Sequence, residues 1–142
     1  MSQVYKHKPN DEIKQVILRN LARSSLGSST WRAIRWKEEH KNRKPLHHTI
    51  TEYLVKNLTL EWFEEHEAKK SDLNSVIQDI ANHAIKLRNS IPLEGRINKR
   101  NELFGYAAKG ISLYMRSVIL HRDLLSDKNA QYWRPFCPSA ID

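Results

Sequence analysis

Residues 96–126 read RINKRNELFGYAAKGISLYMRSVILHRDLLS and contain no proline. Placed on a helix of about 3.6 residues per turn, this stretch is apolar around most of its circumference. A helix with that distribution is typical of the buried core of a globular protein. Its interspersed charges do not suit a membrane span. We therefore predict that residues 96–126 form the buried central helix of an all-α domain.

Two apolar faces lie side by side on this predicted helix. The first face consists of Ile97, Phe104, Ala107, Ala108, Ile111, Met115, Val118 and Ile119. The second face consists of Leu103, Tyr106, Leu113, Leu120 and Leu124. A narrow polar stripe remains: Glu102, Lys109, Ser112, Arg116 and Asp123. Its charged members recur at seven-residue steps and include both signs, which predicts either ion pairs to other helices or a polar seam in a homodimer.

Four helices are predicted before the central one, each from an N-cap residue and apolar spacing. The first follows Asn10 or Asp11 and buries one face, formed by Ile13, Val16, Ile17 and Leu21. The second follows Ser29 or Thr30 and ends before Pro45, because a proline disfavours helical angles in the residue before it.

The third and fourth helices lie between residues 49 and 90. The third begins at Thr49, which matches a capping box with Glu52, and it runs into an acidic end. The fourth is capped by Ser71 or Asp72 and ends near Ser90. Its apolar face has the most regular spacing in the chain: Leu73, Val76, Ile77, Ile80, Ala81, Ala84 and Ile85.

The predicted architecture is a single-domain bundle, residues 1–142, of about five helices around the buried C-terminal helix. Residues 1–10 are predicted to form a polar N-terminal arm. Residues 127–142 contain three aromatic residues and two prolines and are predicted to form an irregular aromatic tail packed on the core. The aromatic residues also suit an anchor for a partner protein, which is the alternative.

The composition limits the partners. The chain of 142 residues has a net charge of +8, which predicts an acidic partner, either nucleic acid or an acidic protein surface. The single cysteine, Cys137, excludes an internal disulfide and a multi-cysteine metal site. The polar N-terminus does not resemble a signal peptide, so we expect a cytoplasmic protein. We predict no metal, no cofactor and no membrane association.

One segment combines basic and aromatic residues. Residues 32–48, RAIRWKEEHKNRKPLHH, hold six Lys or Arg against two Glu, and Trp31 and Trp36 lie among them. Cations displace counterions from phosphates and indole rings stack on bases, although tryptophans also pack into cores. A second basic cluster flanks residues 91–95. The predicted nucleic-acid-binding residues are Arg32, Arg35, Lys41, Arg43, Lys44, Arg96, Lys99 and Arg100.

Arg116 and His121 form the pattern R-x4-H. This pattern resembles the motif of HEPN-type ribonucleases, which are small all-helical dimers that act on RNA without metal. The resemblance implies that Arg116 stabilises phosphate charge and that His121 transfers protons. The alternative is a histidine that hydrogen-bonds within the core.

Three functions therefore remain open for this chain. The first and favoured one is a non-enzymatic protein that contacts nucleic acid through a Lys/Arg-rich surface. The second is an accessory or inhibitor protein, of the kind found in phages or plasmids, that binds another protein. The third is the metal-independent ribonuclease implied by Arg116 and His121.

Overall fold

The computed structural model describes residues 10–25, 46–91, 100–121 and 123–136, with residues 46–47 and 100–103 described by their backbone alone. Within these ranges the chain is helical and contains no strand, so the prediction of an all-α fold is confirmed. The predicted second helix, between Thr30 and Pro45, lies outside the described residues. The helices are α1 (Asp11–Ser25), α2 (Leu46–Asn57), α3 (Leu60–Ala68), α4 (Leu73–Ser90), α5 (Arg100–Leu120) and α6 (Asp127–Trp133), followed by a 3-10 turn (Arg134–Phe136).

The helix α5 is the centre of the bundle, as its apolar circumference predicts. It packs against α1, α2, α4 and α6. Tyr114, which belongs to neither predicted face, is wholly buried, and its hydroxyl donates to the carbonyl oxygen of Leu58 at 3.0 Å. The buried residues of α5 include Ala107, Ile111, Tyr114, Met115, Val118 and Ile119.

The central helix is shorter than predicted. It ends at Leu120 rather than near Ser126, because the amide of His121 bonds to the carbonyl of Val118 at 3.2 Å and the chain then turns. Leu120, assigned to the second apolar face, is 60% exposed, whereas Leu124 is buried beyond the end of the helix.

Gly105 offers a direct test of the helical assignment of α5. It is exposed, and a methyl group at its Cβ position would have no neighbour within 4 Å. Glycine within a helix costs about 0.5–1 kcal/mol relative to alanine. We expect Gly105→Ala to raise the free energy of unfolding by that amount, measured by urea denaturation followed by circular dichroism. A lower free energy of unfolding would contradict this placement of Gly105.

The helix α1 begins as predicted but buries a different face. The side chain of Asn10 accepts from the amide of Ile13 at 2.9 Å, which confirms the cap. Ile13 and Val16 are 50% and 60% exposed, so the predicted buried face is half wrong. Two overlapping sets of residues have helical spacing here, and contact with α2 and α5 selects the one that contains Leu18 and Ala22.

The predicted third helix is divided into α2 and α3. The helix α2 begins at Leu46, so Thr49 lies inside it and is not its cap. The break follows Leu58, where Thr59 caps α3 by accepting from the amide of Trp62 at 3.2 Å. The acidic residues therefore belong to a separate short helix.

The bounds of α4 agree with the prediction. The side chain of Asp72 accepts from the amide of Ser75 at 2.8 Å, and the helix ends at Ser90. This capping hydrogen bond lowers the pKa of Asp72. The predicted apolar face is only partly covered, because Leu73, Ile77 and Ile85 are exposed.

The C-terminal tail is more regular than predicted. Residues 127–136 form α6 and the 3-10 turn, and Ser126 caps α6 by accepting from the amide of Asn129 at 3.2 Å. Trp133 is wholly buried, and its indole nitrogen donates to the carbonyl oxygen of Phe63 at 3.0 Å. The aromatic residues of α6 thus attach it to α3. Residues 137–142 lie outside the described residues.

Candidate functional site

The eight predicted nucleic-acid-binding side chains lie outside the described part of the chain. Arg100 is the first residue of α5, but its side chain is not described. The other seven fall within residues 26–45 and 92–99: Arg32, Arg35, Lys41, Arg43, Lys44, Arg96 and Lys99. That these eight side chains contact nucleic acid through one basic surface stays a prediction.

Cations gather on the face that α1 and α2 share. The guanidinium of Arg19 donates to both carboxylate oxygens of Glu52, at 2.5 and 3.3 Å. This hydrogen bonding, together with the charges of Arg19, Lys56 and Arg23, lowers the pKa of Glu52. The charges of three cations therefore act on one carboxylate, and Arg23 and Lys56 are exposed. We call Arg19, Arg23 and Lys56 the α1–α2 basic face; sequence patterns did not indicate it, because its members come from two helices.

The segment of sequence between α1 and α2 is also rich in positive charge. Residues 26–45 leave the end of α1 and enter the start of α2, and these two helices pack against each other. The segment carries six Lys or Arg against two Glu, a net charge of +4, which is half of the net +8 of the chain. Both ends of the basic segment are thus attached to the helix pair that bears the α1–α2 basic face.

The acidic residues are concentrated elsewhere. Residues 60–72, which span α3 and the cap of α4, contain five carboxylates and two lysines. One of these lysines, Lys69, is paired with Glu65 at 2.7 Å. The segment has a net charge of −3, so the rest of the chain carries +11. Charge segregation of this kind orients a protein in the field of a charged partner.

Arg116 and His121 are placed at one end of α5. Arg116 lies inside the helix and is half-buried, whereas His121 is the first residue beyond it. The Nδ1 atom of His121 accepts from the amide of Asp123 at 3.2 Å. That bond agrees with the alternative of a structural histidine, and the ribonuclease function stays a prediction.

The charged residues of the predicted polar stripe lie along α5 and in the turn beyond it. Lys109 is exposed, and Arg116 and Asp123 are half-buried, with Asp123 in the turn beyond α5. The side chain of Glu102 lies outside the described residues. A homodimer seam along this stripe stays a prediction.

A polar network that the sequence did not reveal centres on Asp79 of α4. The Oδ2 atom of Asp79 accepts from Nε1 of Trp62 and from Nε2 of His66, both at 2.8 Å. The Oδ1 atom lies 3.8 Å from Nε2 of His83, one turn further along α4. Burial raises the pKa of Asp79, but the two hydrogen bonds and the nearby histidines outweigh burial, and its pKa lies below the ordinary value.

Each histidine extends this network to another part of the fold. Because the Asp79 carboxylate can only accept, Nε2 of His66 donates to it, and Nδ1 of the same ring lies 2.9 Å from the Ser71 hydroxyl. Nδ1 of His83 lies 2.8 Å from the hydroxyl of Tyr53 in α2. Burial lowers the pKa of His83 more than the charge of Asp79 raises it. We call Ser71, His66, Asp79, His83 and Tyr53 the Asp79 network.

The Asp79 network connects α2, α3 and α4 and borders a small cavity. Ser71, His66 and Asp79 have the connectivity of a nucleophile, a base and a carboxylate. However, the cavity of about 130 Å³ beside them is lined by Trp62, Glu65, His66, Lys69 and Asp79, and Ser71 is not among these residues. The serine therefore does not line this cavity, and the network is best explained as a structural connection between helices.

The described residues provide neither a metal site nor a membrane-spanning helix. Among the described residues, no group of three or more His, Cys, Asp or Glu side chains could hold a metal ion. None of the helices in the described ranges is long and apolar enough to cross a membrane. The sequence matches no protein-family model, no curated protein and no solved structure.

Proposed function

We propose that this chain is a non-enzymatic protein that binds nucleic acid through the phosphate backbone. The observation that carries the proposal is the α1–α2 basic face, where Arg19 is paired with Glu52 and the charges of Arg23 and Lys56 also act on that carboxylate. Glu52 is paired with Arg19, so Arg23 and Lys56 remain available to phosphates. Exposed cations of this kind release counterions when they contact a nucleic acid, which provides sequence-independent affinity.

The basic segment supports the same conclusion. Residues 26–45 add a net charge of +4 between the two helices that form the face. The six cations of the segment and the cations of the face would together contact several phosphates, and the two tryptophans of the segment suit stacking on unpaired bases. The acidic residues 60–72 would be repelled by the same phosphates, so the charge distribution favours one orientation on the nucleic acid.

The test compares two double variants. One lacks two cations of the α1–α2 basic face, and the other lacks two cations of the acidic residues 60–72. In Arg23→Ala/Lys56→Ala, we expect the affinity for a single-stranded or duplex oligonucleotide to fall about tenfold, and the slope of log affinity against log salt to decrease by about 1–2. The matched control, Lys69→Ala/Lys70→Ala, removes the same charge from two exposed residues at the end of α3. Fluorescence anisotropy over a range of salt concentrations measures both quantities.

Two outcomes would contradict this proposal. Binding by the unmodified protein that does not change with salt would exclude a phosphate interaction. An equal loss of affinity in Lys69→Ala/Lys70→Ala would show that net charge, and not the α1–α2 basic face, determines binding.

A further inference from the structure

An exposed apolar ridge runs along α4. Four residues at steps of four form it, and we call Leu73, Ile77, Ala81 and Ile85 the α4 ridge. Leu73, Ile77 and Ile85 are 56%, 53% and 39% exposed, and Ala81 is half-buried. Ridges of this spacing are the surfaces through which helices pack on one another. The small side chain of Ala81 lies midway between Ile77 and Ile85, where it permits close approach of a second helix.

The surface beside the α4 ridge carries no charge over most of its length. The parallel row of exposed residues begins with Asn74, Gln78 and Asn82, and the side-chain amide of Gln78 donates to Asn82 at 3.2 Å. Asp79 is the only charged residue between Leu73 and Ile85, and it bonds to α3 on the other side of the helix. In a chain with a net charge of +8, this surface allows two copies to meet without opposing like charges.

We propose that the α4 ridge is the interface of a homodimer, in which α4 packs antiparallel on α4 of a second copy around a twofold axis at Ala81. Since Ala81 lies midway between the two isoleucines, the axis places Ile77 of each subunit against Ile85 of the partner subunit. Packing of two such ridges gives a crossing angle of about −50°.

The charges at the ends of α4 select the antiparallel arrangement. Asp72 lies at the start of the helix and Lys86 near its end. In the antiparallel pair, the acidic end of each helix points toward the basic end of the other. In a parallel pair, the two Lys86 ammonium groups would approach each other, which is unfavourable.

The size of the ridge predicts a weak dimer. Four side chains bury a few hundred Å² per subunit, which is less than the roughly 800 Å² per partner of a standard interface. We expect a dissociation constant of about 10–100 μM. Dimerisation goes beyond the proposed binding of nucleic acid, and a dimer would carry two α1–α2 basic faces.

Sedimentation velocity of the full chain without nucleic acid, over protein concentrations from about 5 to 500 μM, tests the dimer. Ile77→Glu is expected to raise the dissociation constant at least about tenfold, because it places a charge in the apolar contact. The matched control is Val16→Glu on α1, where the replaced side chain is 60% exposed and the change in charge is the same. A monomeric unmodified protein, or equal weakening by Val16→Glu, would overturn the proposal. Unchanged circular dichroism shows that both variants are folded.

A double variant tests the antiparallel register independently. Ile85→Lys alone should weaken the dimer as Ile77→Glu does. In Ile77→Glu/Ile85→Lys, the antiparallel axis brings opposite charges together at both ends of the contact, so the dissociation constant should recover toward that of the unmodified protein. A parallel pair would bring like charges together, and a double variant weaker than either single variant would overturn the antiparallel arrangement.

Discussion

Replacing Trp133 by alanine is expected to lower the free energy of unfolding by about 3–5 kcal/mol. Trp133 is wholly buried between α3 and α6. Its ring stacks on Trp62, with centroids 5.4 Å apart and planes at 23°, and it meets Phe63 edge to face at 5.1 Å. Alanine would leave a cavity in place of these contacts and would leave the carbonyl oxygen of Phe63 without its indole donor. Domains are typically stable by about 5–15 kcal/mol, so this variant should unfold readily.

Urea denaturation followed by circular dichroism measures this loss. Trp133→Phe keeps most of the apolar surface but removes the hydrogen bond to Phe63, so an intermediate loss of about 1–2 kcal/mol is expected. Gln131→Ala is the matched control, because Gln131 lies in the same helix and is exposed. Its effect should remain within about 0.5 kcal/mol. A loss below about 1 kcal/mol in Trp133→Ala would contradict the attachment of α6 to the core.

Replacing Asp79 by alanine is expected to lower the free energy of unfolding by about 1–3 kcal/mol at pH 7. The substitution removes the acceptor shared by Trp62 and His66 and leaves both donors without a protein partner. The Asp79 side chain is 35% exposed, so water can replace part of what is lost and the lower half of this range is expected. Glu64→Ala is the matched control, since it removes the same charge from an exposed site on α3.

The pH dependence of this variant distinguishes its effect from that of a simple cavity. The pKa of His83 lies below its ordinary value of 6.5, so the folded chain binds this proton less tightly than the unfolded chain does. The stability that neutral His83 contributes is present above pH 6.5 and is lost as the pH falls. Asp79→Ala removes the charge that raises the pKa of His83, so the loss of stability between pH 7 and pH 5 should be larger in the variant. Equal losses in both proteins would contradict the coupling of these two residues.

The apolar spacing of the sequence predicts the helices well where the N-cap residue and the spacing indicate the same helix bounds. The start of α4 follows from Asp72 and its end near Ser90 from the end of the periodic pattern, and both are observed. The apolar circumference of residues 96–126 likewise predicts the buried position of α5. These features are local, because capping and periodicity involve residues within one or two turns of each other.

The Asp79 network could not be predicted in this way. Its members come from α2, α3, α4 and the turn before α4. The neighbouring pairs in the network are separated by 4 to 30 residues in the sequence and follow no motif. His66 and Asp79 are 13 residues apart, and His83 and Tyr53 are 30 apart. Only the packing of the helices brings these side chains within hydrogen-bonding distance.

The helical class of this chain, the central position of α5 and the strong positive charge all follow from the order of its residues. Which apolar residues are covered follows only from the packing of the helices: Leu18 is buried and Val16 exposed on α1, and Ile77 is exposed on α4. Periodicity records which residues share a face of a helix, whereas burial depends on which neighbouring helix packs against that face.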